Sequence, residues 1–288
     1  MAEWTDGYWW SRDGLRLHFR DYAGPVEKPP ILCLPGLTRN ARDFAGLADR
    51  LAGRWRLICV DLRGRGESAY AKDPMTYAPL NYLQDIEALI GELKISRFVS
   101  FGTSLGGLLT MLLAGTGAER LAGALLNDVG PALEPAGLSR IRTYVGKNGS
   151  WPTWLHAARA VAETNGTAYP HYGVEQWLDM AKRLCRLTPN GRIVLDYDMK
   201  IAEPFKLPGG EAGVDLWPAL EALKPVPALL LRGEHSDLLS QATAEEMARR
   251  LPLLDAVTIP GIGHAPALLE PESMAAIDRL LERVERGG

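Results

Sequence analysis

The chain has 288 residues, 47% of them hydrophobic and 23% charged, with a formal net charge of −3 at pH 7. That length and apolar content allow a sizeable core without requiring two domains, and so small a net charge gives no electrostatic case for nucleic acid or an anionic membrane as partner. Cys33, Cys59 and Cys185 are an odd number without motif spacing, which argues against a disulfide framework or a metal site and reads as buried reduced thiols.

Met1 to Trp10 holds acids and aromatics with no basic segment leading into an apolar stretch, so no secretion signal is read there and a soluble, cytoplasmic protein is expected. Leu15 to Asp21 alternates apolar and polar residues as an antiparallel edge strand would. Pro30 to Leu34 is an apolar run that ends in Pro35-Gly36-Leu37, a strand followed by a tight loop. Arg56 to Val60 predicts a short buried strand before the loop at Asp61. Leu80, Leu83, Ile86, Ile90 and Leu93 recur at helical spacing. Phe98, Val99 and Phe101 end a strand, and Leu105, Leu108, Leu109, Leu112 and Leu113 open a core-facing helix. This apolar stretch, Leu105 to Ala114, falls short of the roughly 20 residues of a membrane span. Ala122 to Leu126 predicts the sixth strand, ending at Asn127-Asp128.

From 130 to 213 the strand pattern stops and prolines punctuate a helical stretch, with helices expected over Gly137 to Val145, Pro152 to Thr164 and Val174 to Leu187. The strand-helix rhythm resumes with Val214 to Leu223 and Val226 to Gly233. Ala256 to Ile259 predicts another strand, and Met274, Ile277, Leu280, Leu281 and Val284 a closing helix. There is no internal repeat and no low-complexity tract.

Gly102-Thr103-Ser104-Leu105-Gly106-Gly107 carries the chemistry. A serine at a sharp strand-to-helix turn needs neighbours without bulk two positions away on either side, and Gly102 and Gly106 provide them. The serine oxygen then stands over a helix amino terminus, whose partial positive charge favours an anion. Alone, the motif also fits a glycine-rich turn whose serine caps a helix. Three further segments favour a nucleophile, the first being the strand and tight loop that end in Pro35-Gly36-Leu37. Leu229 to Asp237 is a buried strand followed by a polar loop containing an acid, and Pro260 to Pro266 presents His264 on a Gly/Pro loop. Ser104, Asp237 and His264 follow one of the known triad orders, with Asp237 expected to orient the imidazole. Asp128, just after the sixth strand, is the rival acid, while Glu234 and Asp255 read as surface charges. His18, in a strand, and His156 and His171, in the irregular middle, read as structural or solvated. The amides of Leu37 and Leu105 are the expected oxyanion donors, each contributing about 3–4 kcal/mol.

With these motifs, and with Asp61-Leu62-Arg63-Gly64-Arg65-Gly66-Glu67-Ser68 after the fourth strand, nearly the whole chain resembles the α/β-hydrolase family. The resemblance implies an α/β fold: an eight-stranded, mostly parallel sheet with helices on both faces, a core of residues 1–129 and 214–288, and a helical cap of residues 130–213 inserted after strand six. It implies a serine hydrolase that needs no metal, nucleotide or flavin, and among its relatives are esterases, enol-lactonases, carbon-carbon bond hydrolases and haloperoxidases. Dehalogenases and epoxide hydrolases use an aspartate where this chain has Ser104. Many relatives have His-Gly where this chain has Pro35-Gly36. The expected reaction is cleavage of a carboxylic ester or lactone of a small, largely apolar substrate through an acyl-enzyme; the alternatives are a carbon-carbon bond hydrolase of aromatic catabolism and a non-catalytic ligand-binding protein. The expected partner is a small-molecule substrate, and nothing in the sequence sets an oligomeric state. Arg140, Arg142, Arg183, Arg186 and Arg192, and Arg39 just past the oxyanion loop, could each meet a substrate carboxylate, but a solvated surface is the favoured explanation for them.

Overall fold

Strands buried on both faces read as near-continuous apolar runs, and the central strands of this chain do. The computed structural model describes residues 1–206 and 215–287. Its strands begin with β1 (Thr5–Trp10), β2 (Arg16–Tyr22), β3 (Ile31–Leu34), β4 (Leu57–Asp61), β5 (Phe98–Thr103) and β6 (Leu121–Asn127). After β6 come the short β7 (Ser150–Trp151), β8 (Cys185–Leu187) and β9 (Ile193–Leu195), and the chain returns with β10 (Ala228–Gly233) and β11 (Leu254–Ile259). The main sheet has eight strands in the order β1-β2-β4-β3-β5-β6-β10-β11. All neighbours from β4 to β11 in that order pair in parallel, and β2 is antiparallel to both β1 and β4.

β2 is therefore not the edge strand expected from its alternation, because β1 lies outside it. The sequence hid β1: it contains Asp6 and Gly7, and of its residues only Trp9 is fully buried. Trp9 nevertheless anchors the strand, since its indole N–H donates to the carbonyl of Asp85 at 2.8 Å.

The helices are α1 (Ala45–Leu51), α2 (Pro79–Glu92), α3 (Leu105–Gly117), α4 (Pro135–Tyr144), α5 (Trp154–Asn165), α6 (Val174–Leu184), α7 (Trp217–Glu221), α8 (Gln241–Arg250) and α9 (Pro271–Glu285). On one face of the sheet α2, α3, α7 and α8 bury residues such as Ile86, Leu109, Leu220 and Met247. On the other, α1 and α9 bury Leu47, Leu51, Ile277 and Leu280, joined by Ala157 and Val161 of α5 and Met180 of α6. Leu80, expected on the apolar stripe of α2, is exposed at the start of that helix.

The excursion between β6 and β10 is not purely helical. Helices stand at the three expected places, but the third ends at Leu184, and Cys185–Leu187 turns into β8 of a three-stranded antiparallel sheet, β7-β9-β8. Val214 and residues 207–213 lie outside the described residues, and the strand-helix unit expected from Val214 contains α7. All three cysteines are free and buried.

At the end of β4 the Asp61 carboxylate gathers several segments. Its Oδ1 accepts from the Ala41 amide at 2.7 Å, and its Oδ2 accepts from the Glu67 amide at 3.0 Å. The same Oδ2 lies 2.7 Å from His18 Nδ1, and Nε2 of that ring lies 3.0 Å from Asp6 Oδ1. Burial alone would lower the His18 pKa, but its bonds to Asp61 and Asp6 outweigh burial and raise it above the ordinary 6.5. The folded pKa exceeds the unfolded one, so this contribution is full below pH 6.5 and is lost as pH rises through the folded value. His18→Gln is expected to lower the unfolding free energy by about 1–3 kcal/mol at pH 6. Urea denaturation should show a clearly smaller loss at pH 9; equal losses would mean that packing, not charge, is what His18 supplies.

Candidate active site

Ser104 sits between β5 and α3 with φ 53° and ψ −115°, the left-handed side that residues with a Cβ avoid. Two glycines make the turn possible. A Cβ on Gly106 would lie 2.0 Å from the Leu34 carbonyl oxygen, and one on Gly102 would lie 2.3 Å from the Gly106 carbonyl oxygen. The Ser104 amide donates to Asn127 O of β6 at 3.0 Å, which fixes the turn against the neighbouring strand.

His264 lies in the loop between β11 and α9. Its Nε2 is 2.9 Å from Ser104 Oγ and its Nδ1 is 2.8 Å from Asp128 Oδ2. Asp128 is fully buried, and its carboxylate is saturated: Oδ1 accepts from the Gly233 amide at 2.8 Å and Oδ2 from the Ser236 hydroxyl at 2.6 Å. Its own amide donates to Leu231 O at 2.7 Å.

Asp237, expected to orient the imidazole, has no hydrogen bond to it. Instead Arg140 grips both Asp237 oxygens, at 2.5 and 2.9 Å. Burial alone would raise the Asp237 pKa; the hydrogen bonds and charge of Arg140, with a smaller contribution from His264, hold it below the ordinary value. What distinguishes the two acids is local: the Gly233 amide and the Ser236 hydroxyl hold the Asp128 carboxylate beside Nδ1, whereas Arg140 occupies both oxygens of Asp237.

Leu37 lies in the loop after β3 and Leu105 is the first residue of α3. Among the described residues neither amide donates to an acceptor. The Leu37 carbonyl accepts from Nε of the fully buried Arg65 at 2.8 Å, which orients that peptide. Asn127 was also missed by the sequence reading: its amide donates to Thr103 Oγ1 at 3.1 Å and to the Pro266 carbonyl at 2.8 Å, tying the serine turn to the histidine loop. A polar Asn-Asp pair closing a buried strand was its available signal.

A cavity of about 490 Å³ opens over these groups, with Ser104, His264, Leu37, Tyr144, Trp151 and Tyr169 in its wall. Arg39, Arg140 and Arg183 also line it. Arg186 and Arg192 turn elsewhere, to Asp196 and Ser150. Glu234 is engaged by the Gly261 amide and Asp255 by Arg279, away from the imidazole. His156 bonds Thr153, and His171 is exposed. Among the described residues no group of three or more His, Cys, Asp or Glu side chains is arranged to hold a metal, and no helix is long and apolar enough to cross a membrane.

A parallel sheet sandwiched by helices, with serine, imidazole and carboxylate meeting beyond its carboxyl edge, defines a hydrolase of the α/β class. Residues 31–277 match the model of the alpha/beta hydrolase family, and the chain belongs to that family. It is 34% identical over 269 residues to a 3-hydroxybutyrate-oligomer hydrolase of Cupriavidus necator, covering 90% of each chain. A 2-(acetamidomethylene)succinate hydrolase of Mesorhizobium japonicum is 27% identical over 88% of each chain. The crystal structure of an alpha/beta hydrolase from Novosphingobium aromaticivorans superposes with a TM-score of 0.94 at 61% identity, over 98% of this chain and 99% of that one.

The two glycine positions make a test within one helix. Gly106→Ala is expected to cost about 1–3 kcal/mol of stability or more, because backbone must move to admit the methyl group. Gly115→Ala, whose Cβ would meet Ala219 at an ordinary 3.7 Å, should be neutral or stabilise α3. Urea denaturation of both variants reads the difference.

Proposed function

We propose that this hydrolase cleaves a carboxylic ester or lactone through an acyl-enzyme formed on Ser104. His264 Nε2 takes the Ser104 proton, and the oxygen attacks the substrate carbonyl. The amides of Leu37 and Leu105 receive the oxyanion, and no other acceptor competes for them among the described residues. The imidazolium is stabilised through Nδ1 by Asp128, which stays aimed because Gly233 and Ser236 hold its two oxygens. His264 then returns the proton to the departing alkoxide, and water, activated by the same imidazole, releases the acid.

The observation that carries this reading is the pair of bonds on His264, 2.9 Å to Ser104 Oγ and 2.8 Å to Asp128 Oδ2. Ester chemistry also fits the Cupriavidus relative, since oligomers of a hydroxy acid are joined by ester bonds. Residues 130–213 serve in this reading as a cap on a core of 1–129 and 214–288, limiting the site to small substrates. The acid is Asp128 and not Asp237.

A fluorophosphonate should label the protein at Ser104 and fail to label Ser104→Ala; absence of labelling in the unaltered protein would favour a ligand-binding role. On p-nitrophenyl butyrate, Asp128→Asn is expected to lower kcat by about 10⁴-fold. Asp237→Asn should lower it by less than about tenfold. The opposite ranking would return the acid's role to Asp237.

A further inference from the structure

The charges around the cavity do not follow those of the chain. The protein as a whole is at −3, yet the described residues lining the cavity include Arg39, Arg140, Lys147 and Arg183 against Asp43 and Glu163. Lys147 and Glu163 are exposed, which leaves three guanidiniums and one carboxylate on the inner wall.

Two of the arginines are each held by one carboxylate. Arg39 uses Nε and Nη2 on the two oxygens of Asp43, at 2.5 and 2.7 Å, and its Nη1 has no acceptor among the described residues. Arg140 does the same with Asp237, a residue outside the cavity lining. An arginine held by one edge of its fork is a fixed cation with donors left for a second oxyanion. Both face one region. Arg39, Arg140 and Tyr144 all line the cavity that holds Ser104 and His264. The stem of Arg39 starts close to the serine: a Cβ on Gly36 would lie 3.3 Å from Arg39 Cγ and 3.7 Å from Ser104 Cβ, so stem and nucleophile flank the same glycine.

We propose that the substrate is an ester bearing a free carboxylate, received by Arg39 and Arg140 while the ester carbonyl lies over Ser104. This rests on the serine-hydrolase reading and narrows it from apolar esters to anionic ones. A neutral ester of the same shape would cover the guanidinium edges without replacing their water, and sites built to hydrogen-bond a group discriminate strongly against ligands lacking it.

The test compares matched pairs. With the carboxylate on the acyl side, mono-p-nitrophenyl glutarate is set against p-nitrophenyl pentanoate; with it on the alcohol side, 3-(butanoyloxy)butanoate is set against its methyl ester. In at least one pair the acid should be favoured in kcat/KM by about tenfold or more. Arg39→Met and Arg140→Met should each reduce that ratio, chiefly through KM. Equal or better turnover of the neutral member in both pairs, measured on the unaltered protein, overturns the proposal, as does a preference that survives both substitutions. Calorimetry on Ser104→Ala separates this from the chemistry. The acid of whichever pair shows the preference should bind and its neutral partner should not, and failure of both acids to bind overturns the carboxylate site even if esters are hydrolysed.

Discussion

The level register of four parallel strands is the constraint on which the site depends. Thr103 of β5 and Leu231 of β10 both pair with Asn127 of β6, and Gly233 pairs with Ile259 of β11. The strands therefore end side by side, and the next residues out are Ser104, Asp128 and the loops that carry Ser236 and His264. Parallel strands present all their carboxyl ends to one side, which is where sites of open α/β sheets form. A slip of one residue in β6 would move both the acceptor for the Ser104 amide and the carboxylate that meets His264.

Two residues at this edge bear unfavourable backbone conformations. Ser104 and Asp128 have φ of 53° and 55°, and such positions cost on the order of 1–3 kcal/mol each. Their surroundings hold them there. Ser104 is pinned by Asn127 O and by glycines that leave no room for an alternative, and Asp128 is bonded through its amide and both side-chain oxygens. The strain is thus offset by the same hydrogen bonds that align the polar groups.

Much of this was legible in the sequence because it is local. Doubly buried strands appear as unbroken apolar runs, and the serine turn and the Gly/Pro loop around His264 announce backbone shapes few other residues permit. The choice between Asp128 and Asp237 was not local. Both follow strand ends, and what separates them is Arg140, far upstream in sequence, which occupies Asp237, and Ser236, which secures Asp128. β1 was hidden for a similar reason, since its stability lies in pairing with β2 and in the single anchor of Trp9. The small sheet after β6 consists of strands two or three residues long, too short for periodicity to register.

The arm formed by α5, α6 and the turn between them touches the core on both sides of His264. Gly263 N donates to the Ala168 carbonyl at 2.7 Å, and the Tyr169 hydroxyl donates to the Ala265 carbonyl at 2.6 Å. Raising this arm far enough to uncover the cavity breaks both bonds and frees the peptide that carries the imidazole. The placement of this arm and the placement of the His264 ring are therefore mechanically tied.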